Sequence, residues 1–117
     1  QIEFLAGASV KDQLASLNWT VGAIVDDHSS YPRVVAEWMD DDLAGLKRDA
    51  NDPLQRLSPG LYQRLIAGRN RRWAARIAER MRSPGRIVVI VGIGHLVGPD
   101  GLPALLRARG LDVEGPA

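Results

Sequence analysis

Arg86-Ile87-Val88-Val89-Ile90-Val91, running directly into Gly92-Ile93-Gly94-His95-Leu96-Val97-Gly98, is the stretch on which the fold turns. A run of β-branched residues with no polar alternation predicts a strand covered on both faces, as in the interior of a parallel sheet. Downstream, Pro99 to Arg109 predicts a helix with Leu102, Leu105 and Leu106 inward and Gly110 as its C-terminal cap. Leu111-Asp112-Val113-Glu114 then reads as a short second strand. Two strands do not make a self-sufficient sheet. The expectation is therefore an α/β chain, an α-rich α+β fragment of four or five helices and two strands, whose sheet is completed by a missing N-terminal segment or by a partner chain.

Upstream the pattern is helical. From Val10 to about Asp26, Leu14, Leu17, Val21, Ile24 and Val25 recur at three- and four-residue spacings, with Trp19 and Ala23 widening the stripe. After the turn-like Asp26-Asp27-His28-Ser29-Ser30, Pro32 suits the first turn of a second helix carrying Val34, Val35, Trp38, Met39, Leu43 and Leu46, to about Lys47. Arg48 to Pro53 reads as a loop. Ser58 is placed to cap a third helix with Pro59 in its first turn. That helix carries apolar residues in phase from Leu61 to Met81, with Gly68 as a break or close-packing point, and ends at Ser83-Pro84-Gly85. The whole, 1–117, reads as a single partial domain: a helical part over 1–56, and 57–117 carrying the loop.

Composition narrows the classes. The 117 residues are 45% hydrophobic and 25% charged with a net charge of +1, an ordinary globular balance. Acids outnumber bases before residue 53 and arginines dominate after it, so the two halves are expected to neutralise each other within one fold or each to face a missing partner segment. With lysine nearly absent and no basic patch interleaved with stacking aromatics, no nucleic-acid partner is expected. There is no cysteine, which excludes disulfides and thiolate chemistry. No apolar run approaches the ~20 residues of a membrane span, and Gln1 to Val10 lack the basic start and apolar stretch of a signal peptide. The compartment is left open, export depending on a signal peptide in a longer parent.

Chemistry concentrates in the loop after the expected strand, the edge at which α/β sheets gather ligands. Gly92, Gly94 and Gly98 would let the backbone turn sharply and approach a substrate, and His95 offers an imidazole as metal ligand or general base. The bland alternative is a ring hydrogen-bonded to backbone that does no chemistry. Arg69 and Asn70, adjacent on the upstream helix, could orient a carboxylate or a polarised carbonyl. Other readings compete. Gly92, Gly94, Gly98 and the later Glu114 loosely follow a nucleotide-binding βαβ unit, although the third glycine comes one residue late. The acidic run Asp40-Asp41-Asp42 lacks the spacing of a calcium loop and reads as a solvated helix end. Ser58 caps and Ser83 turns, and no nucleophile-elbow motif supports a serine triad.

Arg69-Asn70-Arg71-Arg72-Trp73, then Gly92-Ile93-Gly94-His95-Leu96-Val97-Gly98, then Leu105-Leu106-Arg107-Ala108-Arg109-Gly110-Leu111-Asp112-Val113, resembles the C-terminal part of the TraB/GumN family, itself similar to the Tiki proteases. The match runs closely from about Leu57 to Glu114 and loosely before. The resemblance implies a bacterial metal-dependent hydrolase of peptidase type. Two glycine-x-x-histidine motifs there bring their histidines to a divalent metal such as manganese, cobalt or zinc. By that resemblance His95 is a metal ligand and Arg69 and Asn70 are catalytic. The first glycine-x-x-histidine motif does not occur in this chain, and His28 has no glycine at the required spacing. One imidazole is too few for a catalytic metal, so the remaining donors would come from the missing N-terminal half of the domain or from a homodimer partner. Otherwise the domain would be a non-catalytic binder of haem, a peptide or a protein partner.

Overall fold

The computed structural model describes residues 6–26 and 30–115. In chain order the helices are α1 (Val10–Asp26), α2 (Ser30–Met39), α3 (Leu43–Ala50), α4 (Asp52–Leu57), α5 (Pro59–Tyr62), a π turn (Gln63–Ala67), α6 (Gly68–Arg80), a 3-10 turn (Ile93–His95) and α7 (Leu102–Arg107). Among the described residues there is no strand, so the fold is all-α and the α/β expectation is corrected.

The correction has a physical cause at each expected strand. Among the described residues, 86–92 find no neighbouring strand with which to share a hydrogen-bond ladder, and a β-branched run reports only a fit to such neighbours. Val88 and Ile90 are accordingly 87% and 91% exposed, while Val89, Ile90 and Val91 border a cleft along α6. Over residues 111–114 the ladder is replaced by a side chain, for Arg107 donates to the carbonyls of Val113 (3.0 Å) and Gly115 (2.9 Å). Among the described residues the βαβ frame of a nucleotide-binding unit is absent with the strands.

The helices follow from local sequence. Ser58 Oγ accepts from the Leu61 N–H and donates to Asp12, so one hydroxyl caps α5 and ties α1 to the body. From Pro59 to Arg80 the helix is continuous through the π turn, where the Gly68 N–H bonds the Gln63 carbonyl. A Cβ on Gly68 would lie 2.6 Å from that carbonyl oxygen, which is the close packing expected of this glycine. Beyond α7, Leu111 N–H bonds Leu106 O, Gly110 N–H bonds Arg107 O, and Gly110 has φ 78°, a Schellman end on the predicted glycine.

Two helix boundaries differ from expectation. The second predicted helix is split: Asp41 adopts φ 54°, and the Asp42 carboxylate caps a new helix by accepting from the Gly45 N–H at 2.8 Å. Two of the three acids thus turn and cap the chain. The stretch 48–53, expected as a loop, holds the end of α3 and the start of α4, and the expected turn residues 27–29, His28 included, lie outside the described residues.

Leu46, Leu61, Tyr62, Ala67, Ala74, Val97 and Leu102 form the core, between the α3–α6 helices and the loop that leads into α7. Much apolar surface remains outside it. Leu14, Leu17, Val21 and Ile24 of α1 are each at least half exposed. The chain presents 8127 Å² of accessible surface, against roughly 6,200 Å² for a closed domain of this mass.

Candidate functional site

His95 closes the 3-10 turn and is buried to 9% exposure against α6. Its Nδ1 lies 2.7 Å from Asn70 Oδ1. Asn70 is completely buried, and its Nδ2 donates to the Asp100 carbonyl (2.7 Å) and the His95 carbonyl (3.3 Å). Those two acceptors orient the amide, leaving its oxygen toward the imidazole. Nδ1 must then carry the proton, and the lone pair of the neutral ring resides on Nε2, the arrangement that second-sphere partners impose on a ligating or proton-accepting histidine. Burial holds the imidazole pKa below its ordinary value, with the nearby Arg69 charge adding to the effect. The neutral donor form is thus the stable one near pH 7.

The ring is also held from the side. Trp73 stacks on His95 with centroids 4.9 Å apart and a 53° tilt, and the Arg69 guanidinium sits 4.6 Å over the Trp73 ring. Residues 69, 70 and 73 share one face of α6, so the helix delivers a cation, an amide and an indole to the same turn. Arg69, Trp73, Arg76 and Ile77 also line, with Val89, Ile90 and Val91, a cleft of about 330 Å³ that passes this stack.

The glycines divide by role. Gly94 is pressed against Asn51, whose Nδ2 donates to the Gly94 carbonyl at 2.9 Å, and a Cβ there would lie 2.6 Å from Asn51 Oδ1. Gly98 has φ 77° and packs on the Lys47 stem. Gly92 faces open space, and its carbonyl accepts from the His95 N–H. The Gly94 and Gly92 carbonyls are thus engaged within the protein itself.

A polar support lies on the far side of Asn70. Tyr62 donates to the Asp100 carboxylate at 3.2 Å, and Arg71 approaches the same carboxylate at 3.7 Å. Burial, followed by the Asp100 charge, pushes the Tyr62 phenol up to about 12.

The structure therefore brings His95, Asn70 and Arg69 together, with Asn70 as a buried support for the ring. Asn51, Tyr62, Trp73 and Asp100 join them without having been singled out as site residues from sequence. Trp73 stood beside the arginine-asparagine pair and Asp100 followed the glycine loop, which were the available signals. Asn51 had none. Among the described residues no three His, Cys, Asp or Glu side chains gather as a metal site.

No helix among the described residues is long and apolar enough to cross a membrane. No curated protein and no solved structure gives a significant match to the sequence. The model of the TraB/PrgY/gumN family matches residues 1–115, nearly the full length, and on that match the chain belongs to the TraB/PrgY/gumN family.

Proposed function

We propose that this chain is the C-terminal portion of a metal-dependent hydrolase of peptidase type, inactive alone, with His95 as one ligand to a divalent cation. The observation that carries the reading is the Asn70–His95 pair, because a buried amide that fixes the Nδ1–H tautomer presents Nε2 as a lone-pair donor. A divalent cation held there, whether manganese, cobalt or zinc, supplies an activated water at neutral pH. Arg69 has the charge and the position beside the ring to bind an anionic substrate group or the negative charge developing on a cleaved amide carbonyl. Trp73 and the cleft along α6 offer apolar contact to the substrate chain. The remaining ligands come from a preceding segment of the same protein or from a second copy, and the apolar surface left uncovered by this chain fits either partner.

The test is a calorimetric titration with manganese, cobalt and zinc of this chain beside a longer parent, with His95→Ala in each. Binding confined to the longer protein and abolished by His95→Ala supports the reading. A longer protein that hydrolyses peptides as well after His95→Ala and Arg69→Ala overturns it. Absence of metal binding in both proteins favours instead a non-catalytic domain that uses the same histidine to bind haem, a peptide or a protein partner.

A further inference from the structure

We propose that Asn51 is a positioning residue for His95: with Asn70 it clamps successive peptide carbonyls of the Ile93–His95 turn, so that the imidazole is held in its Nδ1–H form with Nε2 bare. This deepens the proposed function and rests on His95 being the group that acts there.

The clamp is visible from both sides. Asn51 stands at the junction of α3 and α4, 3% exposed, where an asparagine ordinarily caps the following helix. It makes no side-chain cap bond. Its Nδ2 instead donates at 2.9 Å to the carbonyl of Gly94, 43 residues away, and its Oδ1 lies against the Gly94 Cα with no room for a Cβ. Asn70 holds the next carbonyl, that of His95, and the His95 ring itself. The turn spans only three residues, so two fixed carbonyls leave the Gly94–His95 peptide little freedom to rotate. If Asn51 lets go, that peptide can swing, and the imidazole swings with it away from Asn70 Oδ1. A local capping bond has been given up for a distant one, and the distant one lands on the residue preceding the histidine.

The decisive measurement is the nitrogen NMR spectrum of protein with 15N-labelled histidine, free of metal at pH 8, with His95→Gln to assign the signals. The wild-type chain should show His95 as the Nδ1–H tautomer. Asn51→Asp keeps the size and capping capacity of the side chain but sets an oxygen against the Gly94 carbonyl. It should raise the minor Nε2–H population about tenfold, the effect of losing roughly one hydrogen bond, while circular dichroism keeps its helical signal. A folded Asn51→Asp protein with the wild-type His95 signals overturns the proposal, as does a wild-type Nε2–H tautomer. Should Asn51→Asp fail to fold, Gly94→Ala probes the same contact from the other side. Its Cβ should disturb the His95 signals, and adding Asn51→Ala should add no further disturbance. Independent, additive shifts would again overturn the clamp. The tautomer is read without metal or substrate, so failed metal binding with an intact clamp counts against the hydrolase and not against Asn51.

Discussion

Replacing Asn70 with alanine tests the whole construction of the site, because this side chain is completely buried and makes three hydrogen bonds. When the amide goes, three groups lose a partner: the Asp100 and His95 carbonyls, at 2.7 and 3.3 Å, lose its donor, and the imidazole Nδ1–H loses its acceptor. Each bond contributes about 1 kcal/mol net, and each buried group left unpaired costs about 1–3 kcal/mol. With partial rehydration, Asn70→Ala should lose about 3–5 kcal/mol, a large part of a small domain's stability. Asn70→Asp should fare little better at pH 7, since it preserves the shape but faces both carbonyls with an oxygen. Urea denaturation followed by far-ultraviolet circular dichroism and tryptophan fluorescence reads the loss, with exposed Arg82→Ala as a control expected within about 0.5 kcal/mol of wild type. A loss below about 1 kcal/mol for Asn70→Ala would refute the idea that this amide holds the loop together.

Three further outcomes follow from the same network. Because the folded His95 resists protonation, the unfolded chain takes up its proton first, so the contribution of His95 to stability is full above about pH 6.5 and is lost as the pH falls below it. Urea midpoints at pH 7.5 and 5.5 should therefore differ less in His95→Gln than in wild type, and equal slopes would contradict the assignment. Tyr62 acts at the other end: its phenol ionises near 10 when unfolded and at about 12 when folded, so its contribution is full below pH 10 and is lost as the pH climbs toward 12. Tyr62→Phe should flatten that alkaline decline, and a decline unchanged by the substitution would place its origin elsewhere. Gly101→Ala would put a Cβ 2.8 Å from the Leu96 carbonyl oxygen and 2.9 Å from that of Gly98, and should lower stability by about 1–3 kcal/mol. Gly92→Ala meets no atom within 4 Å and serves as its neutral counterpart in thermal unfolding; equal melting temperatures would refute the difference.

The parts of the fold that were legible are those with local causes. Ser58 before Pro59, Gly68 inside the long helix and Gly110 after α7 each play the expected role, because caps, close packing and positive φ are decided within a few residues. The break at Asp41 was missed because Leu43 and Leu46 remain in helical phase across it, and periodicity does not register one residue turning left-handed. The run from Ile87 to Val91 misled for the opposite reason, since its composition describes the neighbours a strand would need and not whether the chain provides them. At the site, adjacency in sequence paired Arg69 with Asn70 as two groups facing a substrate. The fold keeps both beside His95 but in different surroundings, the guanidinium lying on the Trp73 indole at the cleft and the amide buried beneath the histidine. The contact of Asn51 with Gly94 spans too much chain for any spacing rule to reveal.

The π turn from Gln63 to Ala67 has a consequence for the length of the chain. It holds one surplus residue in an otherwise α-helical rod, and the wide i to i−5 turn takes that residue up, so the α-helical segments on either side keep the register of an uninterrupted helix. Leu61 and Tyr62 on one side of the turn, and Asn70 and Trp73 on the other, thereby meet the loop that carries His95. Deleting one of the five residues would let the turn close into α-helix and leave Asn70 beneath the histidine, whereas a further residue held in α geometry would wind Asn70 about 100° away. The site therefore tolerates the loss of one residue here but not the gain of another.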